Sequence, residues 1–240
     1  MRAPRAAELL TLWERGQTMC HVERALLLLA AAEPEETPEG LATLTIGHRD
    51  ARLLRLRECV FGSRLRSATS CPSCDERLEL DLEVGDLLRD AERGASRAAN
   101  RPYVLEDRGR SVRFRLPTSA DLMAVAGTDG AVRALLERCV ETVAGDDAAL
   151  TDDLAAAVTS RMAEADPAAR LELSIRCPAC GEEWLSPFDI VSYFWSEIDA
   201  WAWRMLREVH LLARAYGWSE ARILDLSQQR RLAYLQMVGS

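Results

Sequence analysis

The 240-residue chain contains no lysine. All 30 of its side-chain cations are arginine, set against 38 carboxylates, and the formal net charge at neutral pH is −8. A chain this acidic lacks the concentrated positive surface that a general grip on nucleic-acid backbones requires, so only local basic patches are open to it. Beside so much alanine and leucine, the exclusive use of arginine reads as codon bias. Long apolar runs are also missing. The longest, Ala25 to Ala32, falls far short of the roughly 20 residues that cross a bilayer, and no membrane span is expected. Glu8, Glu14 and Glu23 interrupt the N-terminus, which does not read as a secretory leader. The expected compartment during synthesis is the cytoplasm. Histidine is scarce: His21, His48 and His210 stand apart, and no HExxH spacing occurs. There is no phosphate-binding glycine loop, no GxSxG and no dinucleotide fingerprint. The acidic pairs Asp146–Asp147 and Asp152–Asp153 fall in loop or cap positions, where solvation or the helix dipole accounts for them. Neither an enzyme active site nor a small-molecule substrate is expected.

What is present begins with seven cysteines. Cys20, Cys59 and Cys139 stand alone and read as small buried apolar side chains. The other four form one device written twice, CPSC at Cys71–Cys74 and CPAC at Cys177–Cys180. Two thiolates separated by two residues can face one metal because the backbone between them makes a tight knuckle. Zinc in structural sites takes four such ligands tetrahedrally, at about 2.3 Å for each bond. The motifs agree beyond their thiols. Each has proline after the first cysteine, an acidic residue two positions after the second (Glu76 and Glu182), and an extended pattern beyond, as in the two knuckles of a zinc ribbon. About a hundred residues separate the pairs, against the usual spacing of about 15 to 20. An insertion explains this, since closure entropy grows only with the logarithm of loop length. A shared four-cysteine zinc is the expected arrangement, with separate half-sites or a disulfide pair as alternatives. A redox reading of CPxC is disfavoured, because such a motif normally occurs once, at the start of a helix. Four thiolates leave no open coordination position, so the metal is expected to be structural rather than catalytic.

Apolar periodicity places the pairs in a framework. One or two helices are expected over 6–32, an exposed acidic loop over 32–40, a short extended piece turning at Gly47, and a helix capped by Asp50 whose arginines form a solvated face. Alternation from Leu78 to Val84 predicts a half-buried strand. A short helix and loop follow over 86–100, then a hairpin over 103–116 turning at Arg108 to Arg110. Helices are expected after a Thr118 or Ser119 cap, over 131–143 and over 151–165. LELSIRCPACGEEWLSPFD reads as strand, turn, strand. The strongest helix runs from about Pro187 to Tyr216, ends at Gly217, and precedes two short helices capped by Ser219 and Ser227. The fold class is α+β, predominantly helical: a split zinc-ribbon-like β element with a mainly helical insert and a long C-terminal helix. The expected units are an N-terminal helical region (1–66), the split module (67–85 and 170–187), the insert (86–169) and a C-terminal helical region (188–240).

The runs TIGHRDARLLRLRECVFG, RFRLPTSADL, CPACGEEW and SEIDAWAWRMLREVHLLARAYGWSEARILDLSQQRRLAYL resemble the baseplate proteins of contractile phage tails. The likeness is greatest to versions from phage-tail-like extracellular contractile injection systems, and it extends from about Leu41 to Val238. It implies a non-enzymatic baseplate component or assembly factor whose partners are other baseplate proteins of the hub, spike or wedge. It also implies assembly in the cytoplasm and either retention in the particle or release from it, with Cys71, Cys74, Cys177 and Cys180 as the corresponding cysteines. Trp201 and Trp203 lie about 200° apart around one helix, so one of them is expected to face a second surface, either within the domain or on a partner. The alternative is a zinc-ribbon regulator whose C-terminal helices form a helix-turn-helix with Arg230 and Arg231 as its basic pair.

Overall fold

The computed structural model describes residues 1–95, 102–107, 109–145 and 149–238. The expected loop up to Asn100, the Arg108 turn position and the Asp146–Asp147 pair fall outside these residues. The chain opens with two helices, α1 (Ala6–Gly16) and α2 (His21–Ala32). Their first turns are closed by Glu8 and Glu23, whose carboxylates accept from the Arg5 and Cys20 backbone N–H groups, each at 2.8 Å.

The acidic stretch is less open than its composition suggests. Its end forms α3 (Pro38–Ala42), with proline in the first turn and Thr37 Oγ1 accepting from Gly40 N–H at 3.0 Å. Helix α4 (Ile46–Phe61) likewise starts earlier than expected, capped by Thr45 and not Asp50. Asp50 lies inside it, buried and paired with Arg49 at 2.7 Å. Nor are all the α4 arginines solvated: Arg49 and Arg57 are buried, and each has a carboxylate to balance it.

Strands β1 (Arg64–Ser70) and β2 (Arg77–Glu83) form a hairpin that runs straight into α5 (Val84–Ala95). A three-stranded sheet follows, β3 (Tyr103–Asp107), β4 (Arg110–Phe114) and β5 (Val140–Ala144), with β4 in the middle. Between β4 and β5 come α6 (Ser119–Val125) and α7 (Ala131–Cys139). The helix expected to continue to Val143 therefore stops at Cys139, because Val140 and Val143 pair with Phe114 and Val112. β-Branched residues favour such a ladder when an edge is available. Helix α8 (Asp152–Ala165) and a short 3₁₀ turn (Pro167–Ala169) return the chain to a second hairpin, β6 (Leu171–Arg176) and β7 (Glu183–Phe188). The 27-residue α9 (Ile190–Tyr216) comes next. It starts at the Asp189 cap and ends at Gly217, which adopts φ 66°, a left-handed conformation that glycine takes without steric penalty. Helices α10 (Glu220–Leu224) and α11 (Gln228–Val238) finish the described chain.

One core joins segments far apart in sequence. Leu28, Leu53, Leu54, Leu65, Val84, Val191, Phe194 and Ile198 are all buried in a single cluster, with Leu171 at its margin. It draws together α2, α4, α5, α9 and the roots of both hairpins. A smaller cluster of Val112, Phe114, Leu136, Leu154 and Val158 fills the space between the three-stranded sheet, α7 and α8. Since both hairpins are rooted in the main core, their tips project from a common base.

Candidate metal centre

Each hairpin tip carries one cysteine pair, and the two tips are built alike. After β1, the Cys71 N–H donates to the Glu76 carbonyl at 2.9 Å and its carbonyl accepts from Asp75 N–H at 3.0 Å. After β6, the Cys177 N–H donates to the Glu182 carbonyl at 2.8 Å and its carbonyl accepts from Gly181 N–H at 3.0 Å. The turn closes through a left-handed residue, Asp75 at φ 61° in one knuckle and Gly181 at φ 79° in the other. Aspartate and glycine are among the residues that occupy this region most readily.

The tips meet. Cys71 Sγ lies 3.6 Å from Cys180 Sγ, and Cys74 Sγ lies 3.6 Å from Cys177 Sγ. All four sulfurs fall within 4.8 Å of one another, while a tetrahedron with bonds of about 2.3 Å to zinc has edges of about 3.8 Å. The first cysteine of each pair is buried and the second exposed. The donor set thus fits a thiolate-preferring metal ion in number, spacing and chemistry, and the separation in sequence is bridged in space.

The thiols are electrostatically unequal. The Cys180 N–H donates to the Cys177 sulfur and brings that thiol down to about 7, with the Ala179 N–H adding to the effect against the penalty of burial. At Cys74 the Glu76 N–H favours the thiolate, but the neighbouring sulfurs of Cys180, Cys177 and Cys71, together with desolvation, push it up to about 12. Negative sulfurs this close oppose one another's ionisation, and a divalent cation between them removes that opposition. No histidine joins the group. His21 Nε2 lies 2.7 Å from Asp189 Oδ2, His210 is exposed, and burial and then Arg52 push His48 down. Of the three lone cysteines expected to be buried, only Cys139 is, and burial raises its thiol to about 11, whereas Cys20 at the start of α2 and Cys59 near the end of α4 are exposed.

The tryptophans of α9 divide. Trp201 is half-buried against Leu10, Ala202 and Met205. Trp203 is 62% exposed and meets Trp13 edge to face, with ring centroids 5.6 Å apart. Trp13 is itself held by donating to Asp199 at 2.7 Å. At the C-terminus, Arg231 is buried, donating to Glu208 and to the Leu226 carbonyl at 2.9 Å each. It is therefore no surface cation, and only Arg230 of the expected basic pair faces solvent.

Three polar ties that brace the metal-bearing hairpins had no signal in the sequence. Arg57 forks onto Glu197 at 2.8 and 2.6 Å and also donates to the Gly62 carbonyl, fixing the entry to β1 against α9. The Tyr193 hydroxyl donates to the Arg66 carbonyl at 2.9 Å. Asp166 Oδ2, buried at the end of α8, accepts from Gly47 N–H at 2.9 Å in the first turn of α4. Each joins residues more than a hundred positions apart, except for the short Arg57–Gly62 link, and local patterning is silent at that range.

A family model described as T4 bacteriophage base plate protein matches residues 23–195. No curated protein and no solved structure matches the chain significantly. The matched span takes in both cysteine pairs and the core that roots their hairpins. Among the described residues, no helix is long and apolar enough to cross a membrane.

Proposed function

Because the chain belongs to the T4 bacteriophage base plate protein family, we propose that it is a non-enzymatic baseplate component or assembly factor of a phage-tail-like contractile injection system. The family match over residues 23–195 carries this reading. In it, the four cysteines hold one structural Zn²⁺. Bound zinc would neutralise the thiolates and tie the two hairpin tips together, and four sulfur ligands leave no position for a substrate. The insert of residues 86–169 then has both ends fixed: at their roots by the shared core, and at the tips by the metal. Supporting the structural role, the sulfurs are supplied by two matched knuckles at the tips of hydrogen-bonded hairpins.

The domain division proposed on this basis is the one expected from the sequence, with the split module of 67–85 and 170–187 as the joint between helical regions and insert. Trp203 is the proposed partner anchor, since a large exposed aromatic held by a second tryptophan suits a contact surface. Its partners would be other baseplate proteins, met in the cytoplasm while the particle assembles. Deleting the gene from its own cluster tests the reading: electron microscopy should show tubes or sheaths without complete baseplates. Normal numbers of intact particles after deletion would refute it.

A further inference from the structure

We propose that the groove between β1 and α9 docks an acidic polypeptide segment of a partner protein, recognised by Arg66 and Arg204. The groove encloses about 450 Å³ and is lined by Arg57, Phe61, Arg64, Arg66, Glu197, Ala200 and Arg204. Four arginines face one carboxylate there, the reverse of the balance over the whole chain.

These cations are not equally available. Arg57 is buried and committed to Glu197. Arg64 reaches Glu83 at 3.4 Å and Asp81 at 3.9 Å. Arg66 and Arg204 are exposed and make no ion pair among the described residues. On a protein with surplus carboxylates, unpaired arginines grouped in a groove mark a place where the complementary charge comes from outside.

Several features favour carboxylates on a polypeptide. The guanidinium fork matches a carboxylate bidentately. The walls formed by Phe61 and Ala200 can pack the aliphatic stems of acidic side chains. Phe61, half-buried and edge to face with Phe194 at 6.0 Å, is the one aromatic among the described residues lining the groove, so successive bases have no series of rings to stack on. Trp203 lies about 100° around α9 from Arg204, on another flank, so this site stands or falls separately from the contact proposed for Trp203.

The test uses the full-length protein and a fluorescently labelled oligoglutamate peptide, read by anisotropy at low and moderate salt. A labelled oligothymidylate is run in parallel, and sedimentation monitors self-association. The variants are Arg66→Glu and Arg204→Glu, with Arg230→Glu, exposed on α11, as a control of equal charge change. Melting curves matching the parent protein establish that each variant is folded. The proposal expects saturable peptide binding that weakens with salt, falls about tenfold or more in each groove variant and stays within about twofold in Arg230→Glu. Absence of binding at low salt, or equal loss in Arg230→Glu, would overturn it. Tighter oligothymidylate binding lost in the groove variants would reassign the surface to nucleic acid. Self-association abolished by those variants would reassign it to a second copy of the chain.

Discussion

A Cβ on Gly47 would stand 1.9 Å from Asp166 Oδ1 and 2.8 Å from the Ala168 side chain. That glycine is therefore required by a close approach and not by a turn. The Asp166 carboxylate, which burial holds above its ordinary range, can cap α4 only because no side chain intervenes. Gly47→Ala should lower unfolding free energy by about 1–3 kcal/mol in chemical denaturation. Gly85→Ala, where a Cβ meets nothing within 4 Å, should be neutral or slightly stabilising within α5. Equal effects at the two positions would show that the contact is unimportant. Asp121 makes a second residue-scale case, and it depends on pH. Burial disfavours its charge, but forked bonds from Arg115 and two from Thr118 hold it well below the usual carboxylate range. A depressed folded-state value means that the unfolded chain binds more protons in that window. The stabilisation is then complete above the ordinary carboxylate value of about 3.9 and is lost as pH falls below it. The stability difference between the parent and Asp121→Asn should accordingly shrink from pH 7 to about pH 3, and a constant difference across that range would contradict the assignment. The Gly47–Asp166 tie has no signal in the sequence, and the Thr118–Asp121 tie is legible only as a helix cap. TIGHRD looks like a turn when Asp166 is out of view, whereas Thr118 could be read as a cap because its partner lies three residues away.

At the scale of elements, local signals succeeded where the stabilising partner is near in sequence. The α9 stripe of Phe194, Ile198, Ala202, Met205 and Leu212 is buried along its length, and Gly217 ends the helix. The β6–β7 hairpin and the strand after Cys74 followed from alternation. Helix α7 was read too long because β5 exists only through its pairing with β4, and α4 was read too short because its cap is shared with a distant loop. Trp203 and Phe194 lie on opposite sides of α9, about 180° apart, and one is exposed while the other is buried. Trp203→Ala should leave the melting temperature nearly unchanged while weakening assembly with baseplate proteins. Phe194→Ala, fully buried on the opposite side, should cost about 3–5 kcal/mol of stability. A loss for Trp203→Ala as large as that for Phe194→Ala would make Trp203 part of the internal packing and remove it as a partner anchor.

For the molecule as a whole, the four cysteines were visible as candidates from their repeated local pattern, yet their meeting depends on the fold. Both hairpins start from one core, and Arg57, Tyr193 and Asp166 hold their surroundings across long stretches of chain. Sequence spacing could argue for one site but could not supply the convergence, because the insert between the pairs has a small core of its own. In the proposed function, one zinc joins the two tips into a base for that insert. X-ray absorption at the zinc edge, on full-length protein purified without added chelator, tests it most directly. One zinc per chain is expected, in a shell of four sulfurs at about 2.3 Å. Metal-free protein with Cys71, Cys74, Cys177 and Cys180 reactive or joined as disulfides, or a zinc shell rich in nitrogen or oxygen, would contradict it.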